Sequence, residues 1–334
     1  MKIGRRSALA MLVGAAGTVG SLSRAVAAPS SGLPAVRIGI LQFGSVAWQL
    51  DVIRRHALEQ GEGLRIDAVP LASNQATLVA LQAGAVDVIV SDLLWVARQR
   101  AAGEDWCFEP YSSALGAVEV PAQSPIAAVE QLAGRRLGIA GTSLDKSWLL
   151  LRLLSRRRMG KDLDETVEKV FGAPPLLSQE LLAGRIDAAL TYWQFAARLE
   201  AKGTRRLVGM SEVMRDLGIK EPVPLVGYVL SARWARENAR LCAGFIRTFR
   251  RAEEILLRSD EEWQTIAALT GAEDAAELVR LRDAFRDGVP RRGDPALRPA
   301  AAELYRLFAE IGGGALVGPS PTLPEGTFLD GIDT

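Results

Sequence analysis

Val36, Ile38 and Ile40 alternate with Arg37 and Gly39, the period of a strand, and the loop from Leu41 to Val46 leads into a segment whose Leu50, Ile53 and Ala57 share one helical face. The pattern then repeats. Leu64 to Val69 predicts a strand, Gln75 to Ala83 a helix, Val86 to Ser91 a strand and Leu94 to Ala102 a helix. Such alternation implies parallel strands joined by right-handed helical crossovers. The segment Cys107 to Val120 is assigned to no element. Ser124-Pro125 predicts a capped helix start that Gly134 stops.

A second run begins there. It reads as a strand from Arg136 to Ala140, a helix from Asp145 to Met159 stopped by Gly160, a strand from Val167 to Phe171 and a helix from Leu176 to Ala183. A strand from Ile186 to Tyr192, a helix from Gln194 to Lys202 and a strand from Arg205 to Met210 complete it. Pro222 and Pro224 bracket a break, and Leu225 to Ser231 is a strand expected to return to the first half. Periodicity then predicts helices over 234–258, 261–270, 275–286 and 300–311, covering the first half. Gly312-Gly313-Gly314 and the proline-rich end to Thr334 read as an irregular tail.

The two runs echo one another. Leu81, Ala83, Gly84, Asp87, Ala97, Arg98, Ala101 and Gly103 recur one hundred positions later as Leu181, Ala183, Gly184, Asp187, Ala197, Arg198, Ala201 and Gly203. In each copy an apolar helix ends at a glycine able to take the left-handed conformation, and an apolar strand comes next. Two α/β lobes are implied, with the functional surface between them, where the strand ends face each other.

The whole chain sets further bounds. With 334 residues, 49% apolar and 24% charged, it is long enough for two domains, and its two cysteines exclude a disulfide scaffold or a cysteine-rich metal site. Cys107 and Cys242 can pair in an oxidising compartment or remain buried thiols; both readings stay open. Lys2, Arg5 and Arg6 precede an apolar stretch from Ser7 to Leu22, and Ala25-Val26-Ala27 supplies a signal-peptidase pattern. Export to the periplasm is expected, by the general route or the twin-arginine one. Residues 1–28 hold four cations and no acid, so their removal takes the formal charge from +1 to −3. No basic stripe interleaved with aromatics exists, and nucleic acid is not an expected partner.

The ordered set LQAGAVDVIVSD, PIAAVEQLAGRRLGIAGTS and LLAGRIDAALTYW, behind an export signal, resembles the nitrate/taurine/sulfonate and thiamine-pyrimidine class of ABC-transporter substrate-binding proteins. The resemblance runs from about Val36 to Phe308. It implies a bilobal type II periplasmic binding fold, with two mainly parallel sheets flanked by helices and a ligand cleft between lobes. The expected organisation is a signal peptide at 1–28, a first lobe of 29–118 and 225–334, and a second lobe of 119–224. A small-molecule solute, an ABC permease in the inner membrane and a monomeric receptor are implied with it. One departure matters: Thr191-Tyr192-Trp193 stands where the class often has Glu-x-Pro, so the substrate class does not simply carry over.

Four loops at strand ends form the expected lining. Gln42, Phe43, Gly44 and Ser45, with Trp48 one turn on, offer close backbone approach and an apolar cover; Trp48 reads equally as a core aromatic. Ser91 and Asp92 come next, with Trp95 nearby; Asp92 either accepts from the solute or caps the next helix. In Gly141, Thr142, Ser143, Asp145 and Lys146, hydroxyls, backbone N–H groups and a helix start suit an anionic head group, and the same residues suit an ordinary cap. This loop resembles the oxyanion or carboxylate seat of the class. Tyr192 and Trp193 are placed to stack on a planar solute, and Tyr228 is a weaker candidate for a hinge contact.

The loops offer chiefly Asp92 and Asp145 as carboxylates, so a metal solute is not expected, nor is any cofactor. His56, the single histidine, reads as solvated beside Arg54 and Arg55, and no Ser-His-Asp, Cys-His or HExxH arrangement exists. The leading expectation is a non-enzymatic receptor for a planar or partly apolar organic anion. The rivals are a thiamine-pyrimidine receptor, an enzyme on the same scaffold resembling menaquinone-pathway enzymes or a pyrimidine synthase, and an accessory protein with a vestigial cleft.

Overall fold

The computed structural model describes residues 32–41, 44–290 and 295–331. The expected signal peptide lies outside them, as do Gln42 and Phe43. The described strands are β1 (Ala35–Leu41), β2 (Arg65–Leu71), β3 (Val88–Asp92), β4 (Trp106–Ser112), β5 (Gly116–Pro121), β6 (Arg136–Ala140), β7 (Glu168–Gly172), β8 (Ala188–Tyr192), β9 (Thr204–Gly209) and β10 (Val226–Ser231). They build two five-stranded sheets, ordered β2-β1-β3-β10-β4 and β7-β6-β8-β5-β9.

The two sheets share one plan. In each, three strands run parallel and a fourth, delivered from the other side of a chain crossing, enters antiparallel between the third and the last. Val226 of β10 pairs with Asp92, and Gly116 of β5 pairs with Tyr192, so Asp92 and Tyr192 hold equivalent places. Residues 116–118, expected at the end of the first lobe, therefore pair in the second sheet, because Ala117 and Val118 complete its core.

The hundred-residue echo has a geometric content. Gly84 and Gly184 sit at φ 68° and 69° where their helices exit, a region that costs a side chain about 1–2 kcal/mol. Three residues on, Asp87 accepts the Arg37 backbone N–H at 2.8 Å, and Asp187 accepts that of Arg136 at 2.8 Å. Each aspartate thus ties the start of its lobe's first strand to the strand that will lie beside it. The Arg37 guanidinium adds two further bonds to Asp87, which hold it above its ordinary value.

Several expectations are corrected by packing. The unassigned stretch after Cys107 contains β4 and β5, whose Pro110 and Gly116 obscure the strand period. Ser124-Pro125 opens no helix; only a short 3₁₀ turn forms at Val129–Leu132, where the Gln131 side chain accepts the Ala128 N–H. The first helix is Val46–Arg55 and leaves Ala57 outside it, exposed and left-handed at φ 50°. Asn238 splits the expected long helix into Ala232–Glu237 and Ala239–Arg258. The triple glycine does not begin an irregular tail. Helical structure runs over Leu297–Val317 with a break in angle at Gly313, because Leu316 and Val317 are buried and the Tyr305 hydroxyl donates to the Val317 carbonyl at 2.7 Å.

The core of the first lobe is aromatic. Phe245 and Phe249 of Ala239–Arg258 meet Tyr228 of β10 with ring centroids 5.5 and 5.2 Å away, and each fully buried ring contributes about 1.5–3 kcal/mol. Cys107 and Cys242 are buried free thiols here.

The sheets are also joined away from the crossings. Arg198, on helix Trp193–Ala201 after β8, donates to the carbonyls of Thr270 and Gly271 at 2.8 and 3.1 Å and pairs with Glu277, which is 2% exposed. Helix Leu297–Val317 contacts both Leu93–Ala101 and Lys146–Met159. Residues from Leu33 onward form one compact unit.

Candidate functional site

Parallel strands leave their carboxyl ends on one side of a sheet, and here the loops after β3 and β6 meet. Asp92 closes β3 and starts helix Leu93–Ala101; Lys146 is the first residue of helix Lys146–Met159, after β6. The Lys146 ammonium stands 3.2 Å from the Asp92 carboxylate, spanning the two sheets. Both side chains are about three-quarters covered. The second carboxylate oxygen of Asp92 accepts the Trp95 N–H at 2.8 Å, so this residue both caps a helix and bridges the cleft.

Asp145 caps the facing helix through the Trp148 N–H at 3.1 Å. Thr142 is exposed and its hydroxyl accepts the Leu144 N–H, folding the loop on itself, while Ser143 is exposed beside it. Gly141 holds φ 99°, and a side chain there would come within 3.1 Å of the Tyr192 hydroxyl and 3.5 Å of Asp145. The loop is therefore threaded under the tyrosine by a residue without a side chain.

The electrostatics arise from this crowding. Burial alone would lower the Lys146 ammonium, but Asp92 and Asp145 outweigh it and hold it above its ordinary value. Burial raises Asp145, with the Trp148 N–H and Lys146 opposing. Burial and then the Asp145 charge raise the Tyr192 phenol. One ammonium, two carboxyl groups and a phenol thus gather where the loops of the two sheets meet.

Other expected lining residues are placed differently. Trp48 is 6% exposed, with Trp193, Trp263 and Phe285 around it at 6.0, 5.7 and 6.3 Å between centroids; its core reading holds, and Trp193 is its link to the cleft. Trp95 is buried beside Trp106 at 6.2 Å. Tyr228 is buried in the aromatic core, its hydroxyl donating to Gln49 at 3.4 Å. Ser91 lies in β3 against Gly227. Gly44 donates its N–H to the Leu41 carbonyl at 3.2 Å.

Ser45 does not cap its helix; its hydroxyl lies 2.9 Å from that of Tyr111, a residue that sequence reasoning missed. Burial pushes the Tyr111 phenol up. An aromatic in the stretch without a readable strand period was the available signal. Ser45, Tyr111, Ser112 and Trp193 border a cavity of about 10 Å³, room for about one water. Trp193 also borders a groove of about 280 Å³ that runs past Gly116, Arg206, Glu212 and Asp287.

Neither cysteine of the described residues is an activated nucleophile. Burial pushes the thiols of Cys107 and Cys242 up to about 12, so neither ionises near neutral pH. His56 stands at a helix end, 2.7 Å from Glu262, which is held below its ordinary value first by Arg55. Among the described residues no group of three or more His, Cys, Asp or Glu is arranged to hold a metal ion.

A family model described as NMT1/THI5 like matches residues 60–262, more than half of the chain. No curated protein matches the sequence. Among solved structures, the periplasmic aliphatic sulphonate binding protein SsuA from Escherichia coli superposes with a TM-score of 0.68 at 22% identity, over 90% of this chain and 95% of that one. The alkanesulfonate-binding protein SsuA from Xanthomonas axonopodis pv. citri bound to MOPS gives 0.65 at 19%, over 88% and 97%. Desulfurization enzyme DSZB gives 0.58 at 15%, over 86% and 97%. Identities this low establish the fold, which a receptor and an enzyme share. By the span of the family match and the paired five-stranded sheets, the chain belongs to the NMT1/THI5-like family and carries the bilobal fold of periplasmic binding proteins.

Proposed function

We propose that this chain is an exported, monomeric receptor that captures a small organic anion between its lobes and delivers it to an ABC importer. The observation that carries the reading is the Lys146 ammonium at the start of a 14-residue helix, within 3.2 Å of a residue from the opposite sheet. A solute in that place touches both lobes at once, which is what a closure mechanism needs. The helix N-terminus adds positive potential for an anionic head group, and Tyr192 and Trp193 offer rings to a planar or partly apolar remainder. Similarity to two sulfonate-binding proteins supports the class of solute.

Thermal unfolding against a panel of organic sulfonates, aromatic carboxylates and thiamine pyrimidines tests the proposal. A true solute at about one hundred times its Kd stabilises by about 2.7 kcal/mol. Stabilisation by the pyrimidines alone would favour the thiamine-precursor reading, and no response from the panel would overturn the receptor. The enzyme reading has one specific support, the likeness to a desulfurization enzyme. Turnover of a bound sulfonate would establish it; binding without turnover leaves the receptor.

A further inference from the structure

The Asp92 carboxylate occupies the position on Lys146 that the proposed anion would take. We infer that Asp92 is a resident counter-ion of Lys146, which draws the ligand-free lobes together and which a solute anion must displace. The inference rests on the proposed function for its second half; its first half concerns the protein alone.

The geometry divides the labour of one carboxylate. One oxygen caps helix Leu93–Ala101 through the Trp95 N–H at 2.8 Å, and the other meets Lys146 at 3.2 Å. Displacement by a solute therefore costs the second contact only, and the first helix stays capped. Asp145 cannot replace Asp92 in this role: it belongs to the same loop as Lys146, and its own contact is the Trp148 N–H. Of the described groups whose charge acts on this ammonium, Asp92, Asp145 and Tyr192, Asp92 is the one carried by the opposite sheet. The pair is about three-quarters covered, so it is screened less than a surface pair and stronger than one. It therefore acts both as a closing contact and as a threshold. An anion that binds Lys146 more weakly than Asp92 does gains nothing.

Solution scattering of the full mature protein without solute, at about 10 mM salt (screening length about 30 Å) and about 1 M (about 3 Å), tests the closing role. The native protein should expand in high salt. Asp92→Asn, which retains a cap of equal quality, and Lys146→Met should both be expanded at low salt and insensitive to its increase. The exchanged double variant Asp92→Lys with Lys146→Asp should recover the compact form and its salt response, which excludes simple misfolding. Ethanesulfonate titration tests the threshold: Asp92→Asn should bind about five-fold more tightly, and Lys146→Met should lose binding. Equal radii and salt responses for native protein and Asp92→Asn would overturn the counter-ion. Failure of ethanesulfonate on every variant would count against the anion reading and leave the scattering result standing.

Discussion

Asp92 and Tyr192 end equivalent strands one hundred residues apart, and nothing about them is alike beyond their place. Upstream the two copies match closely: the same glycine exit, the same aspartate holding the first strand. At the strand end one copy caps its helix and reaches across to Lys146, while the other leaves its helix uncapped and lays a phenol over Gly141. The first loops differ in the opposite sense, for Ser45 makes no cap and Asp145 does. Positions that hold a half together repeat; those that face the gap diverge. Each half surrenders one cap, and the freed side chain turns to tertiary contacts.

The sharpest way to break that comparison is at the repeated arginines. Arg198→Ala strands the buried Glu277 carboxylate and should cost about 3 kcal/mol in urea unfolding, whereas Arg98→Ala should cost under about 1. Equal losses would show that the copies are energetically as well as topologically equivalent. A second contrast lies in the two crossing strands, where Glu119 of β5 corresponds in register to Val229 of β10. Burial lifts the Glu119 carboxyl to about 8, with the Thr204 hydroxyl 3.0 Å away. The native state then keeps a proton that the unfolded chain releases near its ordinary 4.5, so stability should fall as pH rises from about 4.5 to about 8, by at most about 1.4 kcal/mol per unit. Glu119→Gln should flatten that slope; an unchanged pH profile would remove Glu119 as its source.

Where the halves match, responses should match. Asp87→Ala and Asp187→Ala each remove the acceptor of an exposed strand N–H, and each should lower stability by about 0.5–1.5 kcal/mol; a one-sided effect would mean that the shared aspartate does different work in the two lobes. The smallest expected effect concerns the helix exits after the first loops. Gly160 is left-handed at φ 66°, while the first lobe places Ala57 at φ 50°. Ala57→Gly should raise the melting temperature, worth up to about 1 kcal/mol, and Gly160→Ala should lower it by a similar amount.

Much of this plan was legible because it is local. Glycine at a helix exit and an apolar run beside an aspartate are set within a few residues, and both copies were readable at Gly84, Asp87, Gly184 and Asp187. What escaped depends on partners far along the chain. Ser45 finds Tyr111 sixty-six positions away, and Arg198 finds Glu277 seventy-nine away. No period announces either. Trp48 suited a ligand as well as a core and Trp95 was expected near the lining, and only the neighbouring rings of Trp263, Phe285 and Trp106 place both in the core. The cap at Asp92 was readable, but its second partner, on the opposite sheet, was not.

The antiparallel entry of β10 between β3 and β4 has a consequence for how the protein is made. Neither of those strands bonds to the other, so a vacant track remains between them until Val226–Ser231 leaves the ribosome, about two thirds of the way through translation. The first sheet, whose strands come from both sides of the second in sequence, is thus unable to mature ahead of it, since the last strand of the second sheet ends at Gly209. A nascent chain with such a gap stays unlocked through most of its synthesis.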